Sequence, residues 1–411
     1  MSTPPKPVGE QAALTPADVV FAEATPHQRV LSWRLNGASW APPMTIEQYV
    51  GRETALSQTA LSANGGTRYY VLHPDGDPDT IVSACEVTAK RALVAGAGTS
   101  AGPREVRAYS VASVFTNPRF RERGMASHML RRVQEVVDGD GDGDGDGDGD
   151  DGGYKAEFGA LYSDIGRVYY TRLGWKDFRS PQVLLGLGTP AAAAAAAAAA
   201  VVVPEGVSLL TADEVAPLCE RDVAAIRERF ERLARSGGGG GAADNNGKKQ
   251  THIAFLPTPE QMAWHFTRDK YVCQKLLGRE VVHRGARTED QGGGGGSGWI
   301  CWDHDLREKK LKVLRIVTRE QDGPEARRGA VRKLLLAALA EAKGWGLPKV
   351  LVWSPGAEVA GAATDIWREL GPEVSVTFEE REDGSIPSLR WKGGKGPEEI
   401  VWESNEYYAW C

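Results

Sequence analysis

VASVFTNPRFRERGMASHML, Val111 to Leu130, passes from strand to loop to helix within twenty residues. The apolar run from Val111 to Thr116 has the composition of a strand and stops at Asn117-Pro118. Met125, Met129, Leu130 and Val133 then recur at helical spacing. A helix that opens directly after Arg121-Glu122-Arg123-Gly124 offers backbone N–H groups with no intrahelical partner, at the positive end of its dipole, and such groups hold phosphate. Gly124 and the small Ala126 let a ligand approach the backbone, and Arg121 and Arg123 add charge. Two other nucleotide sites are excluded by spacing, since the segment has neither G-x-G-x-x-G nor a second glycine followed by Lys-Ser/Thr.

With Arg121, Gly124 and Ala126 in the pattern Gln/Arg-x-x-Gly-x-Gly/Ala, the segment resembles the acyl-CoA loop of the GCN5-related N-acetyltransferases. FGALYSDIGRVYYTRLGW, Phe158 to Trp175, reads as a buried strand and a short helix ending at Gly174. The same superfamily carries a tyrosine four residues before a Gly-aromatic pair, and Tyr170 stands in that relation to Gly174-Trp175. The Asn and Ala that often precede it are Ser163 and Gly166 here. The resemblance implies acetyl-CoA as co-substrate, held by Arg121, Glu122, Arg123, Gly124, Met125, Ala126 and Ser127.

Composition sets the frame. A chain of 411 residues, 41% hydrophobic and 25% charged, is that of a soluble globular protein of two or three domains. The polar start MSTPPKPVGEQ reads as neither a secretory nor a transit peptide, and no apolar run reaches membrane-spanning length. The expected location is the cytosol, with the nucleus compatible. Cys85, Cys219, Cys273, Cys301 and Cys411 are odd in number and lack C-x-x-C spacing, which suits reduced thiols.

An acidic Asp-Gly repeat begins at Asp138 and runs to Gly153. Setting aside its eight carboxylates turns the formal net charge of −6 into +2, so charge gives no reason to expect nucleic acid or membrane as partner. An EF-hand starting at Asp146 would put Glu157 at its twelfth position but Asp151 where glycine is needed. The tract is expected to be a disordered insertion, as are the runs Ala191 to Ala200, Gly237 to Gly241 and Gly292 to Gly296. Asp303-His304-Asp305 is expected on a solvated turn, and no metal is expected anywhere.

Between these inserts lie two comparable halves. Each shows helices, then strands, then a long strand followed by helix, strand, short helix and glycine, the pattern of an internal duplication. The fold expected is α/β: tandem acetyltransferase-like halves, each a mixed central sheet flanked by helices. Residues 1–190 form the acetyl-CoA domain with the insertion at 138–153, residues 191–204 a linker, and residues 205–411 the substrate domain. The second loop reads Ala326-Arg327-Arg328-Gly329-Ala330-Val331, with Trp367 at the tyrosine's place. This copy is expected to have lost the cofactor site.

SACE around Cys85 and Glu86, LYSDIG at Leu161 to Gly166 and the terminal NEYYAWC at Asn405 to Cys411 resemble the fungal lysine N6-acetyltransferases over nearly the full length. The resemblance implies free lysine as acceptor, in lysine catabolism. The chemistry follows from pKa values. A lysine amine with a reference pKa of about 10.4 is free base to about one part in a few thousand at pH 7, so attack on a thioester needs a proton acceptor. Glu86, in the strand before Val111 to Thr116, is the candidate base and Tyr170 the candidate acid for the departing thiolate. Backbone groups of Val114, Phe115 and Thr116 are candidates to hold the pantetheine arm and polarise the carbonyl. His265 and the terminal carboxylate of Cys411 are candidates for binding the small-molecule amine. Two alternatives stay open: a protein N-acetyltransferase, and a non-catalytic acyl-CoA-binding scaffold.

Overall fold

The computed structural model describes residues 14–96, 102–139, 156–188, 201–236, 250–288, 296–392 and 399–410. The chain opens with strand β1 (Val19–Glu23) and helices α1 (Pro26–Trp40) and α2 (Ile46–Ser57). Both helices start in capping boxes. Thr25 with Gln28 and Thr45 with Gln48 exchange side-chain and backbone hydrogen bonds across the first turn. Then come β2 (Thr67–Pro74), β3 (Ser83–Gly96), β4 (Arg104–Thr116), α3 (Met125–Asp138), β5 (Phe158–Ser163), α4 (Val168–Thr171), β6 (Lys176–Asp177) and β7 (Pro181–Leu187).

The second half runs β8 (Val207–Leu210), α5 (Ala212–Ser236), β9 (Thr251–Phe255), α6 (Pro259–Leu277), β10 (Gly285–Thr288), β11 (Gly298–Asp305) and β12 (Lys310–Thr318). It continues with α7 (Pro324–Gly344), β13 (Lys349–Trp353), α8 (Ala357–Leu370), β14 (Val374–Glu380), β15 (Ile386–Trp391) and β16 (Ile400–Trp402). Two mixed sheets result. The first has nine strands in the order β1-β2-β3-β4-β5-β15-β6, with β9 paired to β3 and β16 to β9. The second has seven, in the order β14-β7-β13-β12-β11-β10-β8.

The two sheets exchange strands. β7 leaves the first half to pair with β13 and β14, while β15 returns from the second half to pair along all of β5. The sheet boundary therefore does not fall at residue 190. The cores are also joined: Phe158 and Ala160 of the first sheet, Phe255 of β9, and Leu351 and Trp353 of the second sheet belong to one buried cluster with Tyr407 and Tyr408. Burial of this much apolar area is the main source of stability.

Asp138 does not belong to the insertion. It is the last residue of α3, buried, and its carboxylate takes two hydrogen bonds from Arg390 of β15, at 2.7 and 2.5 Å. Helix geometry carries the residue inward to that guanidinium. Residues 140–155 lie outside the described residues. Asp303, His304 and Asp305 are likewise not on a solvated turn: they end β11 and are buried. His304 is held at both ring nitrogens, by Asp269 at 2.9 Å and Glu341 at 3.1 Å, and Lys312 lies 3.1 Å from Asp305. Pairing is what lets these charges be buried. The four described cysteines are free and buried.

Candidate active site

The site begins with two parallel strands that separate. β4 and β5 pair from Ala108 to Ser110 opposite Phe158 to Ala160, and the pairing ends there. Just beyond, β4 carries a bulge against β3: Ala84 lies opposite Phe115 and Glu86 opposite Ala112, leaving one extra residue in β4. Ser113 takes a φ of 53° there, an uncommon conformation for a residue with a side chain. The bulge bends β4 away from β5 and opens a cleft between them.

Val114, Phe115 and Thr116 line that cleft on one side; Tyr169 and Tyr170 close it on the other. At its far end Asn117 caps the turn Pro118–Phe120 by accepting from the Arg119 N–H, and its amide donates to the Ile81 carbonyl. The chain then reverses through Glu122 (φ 63°) and Gly124 (φ 75°) into α3. No side chain caps α3, so its first-turn N–H groups face the cleft without an acceptor from the helix-capping residue. Arg121, Glu122, Gly124, Met125, Ala126 and Ser127 all line the cleft. Arg123 is exposed and does not line it. Arg121 is tied to the strand end by a 3.2 Å hydrogen bond to the Thr116 carbonyl.

Tyr170 is buried in contact with Tyr169, whose hydroxyl lies 3.0 Å from Ser127 Oγ across the cleft. Burial pushes the Tyr170 phenol above its ordinary pKa, so the hydroxyl is held protonated at neutral pH. Ser163, at the place of the superfamily's Asn, is engaged within its own loop, donating to the Gly166 carbonyl and accepting from the Ile165 N–H.

A second cavity, of about 220 Å³, joins this cleft at Ala112, Ser113, Tyr162 and Asp164. α2 supplies Arg52 and Glu53, β3 supplies Glu86, α6 supplies Trp264 and Arg268, and the C-terminal segment supplies Trp410. Glu86 lines the second cavity, opposite Ala112 in the β3–β4 register. Burial first, and then the charge of Glu53, push its carboxyl up to about 8, against the opposing effects of Ser113, Trp33 and Arg52. Arg52 donates to Glu53 at 2.8 Å, and both are buried.

Of the residues read from sequence, Tyr170 and the loop around Gly124 line one cleft, and Glu86 lines the cavity that joins it. His265 does not reach the cavity lining. Wholly buried, it makes a 3.0 Å hydrogen bond from Nε2 to the Tyr408 carbonyl, and burial depresses its pKa to about 3. A neutral imidazole so placed anchors the C-terminal segment. Cys411 lies outside the described residues. Glu53 and Arg268 carried no motif, and Asp164 and Trp410 lie inside LYSDIG and NEYYAWC without having been singled out. Only the four-residue spacing of Trp264 and Arg268 along one helix hints at a shared face.

The second half repeats the splay, with a bulge at Cys301/Trp302 and parallel pairing of β12 to β13 only from Leu311 to Val313. Here α7 begins at Pro324, so Arg327 to Val331 lie within the helix and no glycine-led cradle forms. The C-terminal segment also lines this cleft, which keeps a cavity of about 660 Å³. Glu406 accepts from the Ile316 N–H and pairs with Arg315, and Ser354 donates to the Asn405 carbonyl.

A family model described as the LYC1 GNAT-like C-terminal domain matches residues 191–411. A Yarrowia lipolytica protein named lysine acetyltransferase is 24% identical over 300 residues, 67% of this chain and 70% of its own. An uncharacterized protein of Saccharomyces cerevisiae is 22% identical over 405 residues, 91% of this chain and 93% of its own. Among solved structures, a GCN5-related N-acetyltransferase from Kribbella flavida is 14% identical, with a TM-score of 0.46 over 91% of this chain and 72% of that one.

Proposed function

The chain belongs to the LYC1 GNAT-like acetyltransferase family, and from that premise we propose that it moves the acetyl group of acetyl-CoA to the ε-amine of free L-lysine. The observation that carries this reading is the junction of the β4–β5 cleft with the cavity holding Glu86. CoA enters along Val114 to Thr116 with its pyrophosphate on the first turn of α3, which puts the thioester near Ser113 and the amine near Glu86. The lysine nitrogen attacks the carbonyl carbon while Glu86 takes its proton, directly or through water. Collapse of the tetrahedral species breaks the C–S bond, and Tyr170 returns a proton to the thiolate. Backbone N–H groups of β4, unpaired with β5 past Ser110, are placed to stabilise the oxyanion.

A glutamate with a pKa of about 8 is better matched to an amine than an ordinary carboxylate. Walls of Trp40, Trp264 and Trp410 around the cavity favour a small amine over a protein tail. The Yarrowia relative's name points the same way as to the amine, lysine. No partner beyond this small molecule is proposed, and the site of action proposed is the cytosol.

Acetyl-CoA turnover with lysine, ornithine, spermidine and a lysine-containing peptide tests the proposal. N6-acetyllysine as the main product, identified by mass spectrometry, is the expected result. Acetylation at the α-amine, or of the peptide alone, would remove free lysine as the acceptor.

A further inference from the structure

Among the described residues, one cation of the acceptor cavity is held by neither a hydrogen bond nor an ion pair. Arg268 lies one turn after Trp264 on α6, half-buried, and lines the cavity. Among the described residues it makes no hydrogen bond and no ion pair; its guanidinium rests 5.6 Å from the ring centroid of Trp410. The other cations of the cavity are engaged. Arg52 is bonded to Glu53, His304 sits between Asp269 and Glu341, and Arg307 reaches the Trp40 carbonyl and Glu308. The carboxylates of Asp305, Asp303 and Glu53 keep the Arg268 guanidinium charged against the cost of burial, but none forms an ion pair with it, and Asp305 and Glu53 are bound by Lys312 and Arg52.

A guanidinium taken out of water without a partner is costly, and its fork geometry matches a carboxylate. The same cavity holds Glu53, Glu86 and Asp164, which suit the ammonium groups of an acceptor. Among the described residues, one cation without a hydrogen bond or ion pair and four carboxyl groups line this cavity, a set matched to a dibasic amino acid.

We infer that Arg268 is the specificity-determining residue that binds the α-carboxylate of the acceptor, and so selects a free amino acid over a diamine or a peptide-linked lysine. The inference rests on the acetyl-transfer reading above.

The test compares L-lysine, L-lysinamide and 1,5-diaminopentane at saturating acetyl-CoA, in the full chain and in Arg268→Gln and Arg268→Lys. The parent should prefer lysine to both analogues by roughly tenfold to a hundredfold in kcat/KM, the worth of a charge-assisted pair. Arg268→Gln should raise the lysine KM by a similar factor with a smaller change in kcat, and bring the lysine-to-diamine ratio to within about threefold of one. Arg268→Lys should recover part of the preference. Equal use of all three amines by the parent would overturn the assignment and leave the acetyltransferase standing, even if the variants do not fold. So would an intact lysine preference in Arg268→Gln. Binding of acetyl-CoA with no amine acetylated would overturn both.

Discussion

Glu53 bears on Glu86 across the acceptor cavity, a like charge held in place by Arg52 that adds to burial in keeping the Glu86 carboxyl near 8. Because the ionised form is the proton acceptor, kcat/KM for lysine should rise with pH and level off above about 8. Glu53→Gln should move that inflection downward, since it removes the repulsion and releases the positive charge of Arg52 toward Glu86. A pH–rate profile whose inflection stays put would mean that another group titrates. Glu86→Gln should lower kcat by about a hundredfold or more, within the range of a general base.

The two arginines of the loop separate in their effects. Arg121 lines the cleft and Arg123 does not, so Arg121→Ala should weaken CoA binding by about 1–3 kcal/mol, and Arg123→Ala by less than about 1. The α3 N–H groups remain in both. Calorimetric titration of CoA into each variant measures the difference, and equal losses would contradict the placement.

Tyr170→Phe removes a proton donor but keeps the ring that packs on Tyr169. The expected outcome is a lower kcat with nearly unchanged CoA affinity and thermal midpoint, because the hydroxyl acts on a thiolate that exists only late in the reaction. A kcat equal to the parent's would exclude Tyr170 as the acid.

Replacing residues 140–153 with a short Gly-Ser linker should leave activity and melting temperature nearly unchanged, since closure entropy depends weakly on loop length. Asp138→Asn should instead cost about 1–3 kcal/mol, because it breaks a two-point pair with Arg390. Burial alone would raise the Asp138 pKa, but Arg390 and Lys392 hold it below the usual carboxylate range. The pair's stability is therefore complete above the unfolded value of about 3.9 and is lost as the pH falls through the lower folded one. Urea unfolding of both variants between pH 3 and 7 checks each point.

What the sequence disclosed was local. The strand, loop and helix from Val111 to Leu130, the Thr45 to Gln48 cap and the relation of Tyr170 to Gly174 depend on neighbours a few residues away, and each appears in the structure where the pattern put it. Asp138 was misread because its partner Arg390 lies 252 residues along the chain. The strand exchange was hidden for the same reason, as alternation in β7 and β15 tells which face is apolar but not which sheet receives it. His265 and Asp303 to Asp305 looked like site or turn residues because composition cannot distinguish a buried, paired charge from a solvated one. Arg268 had only its four-residue spacing from Trp264 as a signal, since what marks it is that it makes no hydrogen bond or ion pair among the described residues.

The placement of β15 sets an order on biosynthesis. β5 forms one wall of the cleft beside β4, and its far edge is completed only by Ile386 to Trp391, far along the chain. A ribosome that has released residues 1–190 has therefore released an open sheet, with β5 unpaired on one side and β7 without its neighbours β13 and β14. Such edges invite pairing with other chains. Contacts of this span make folding slow and leave intermediates exposed, so the nascent first half is the stage at which a chaperone would be needed.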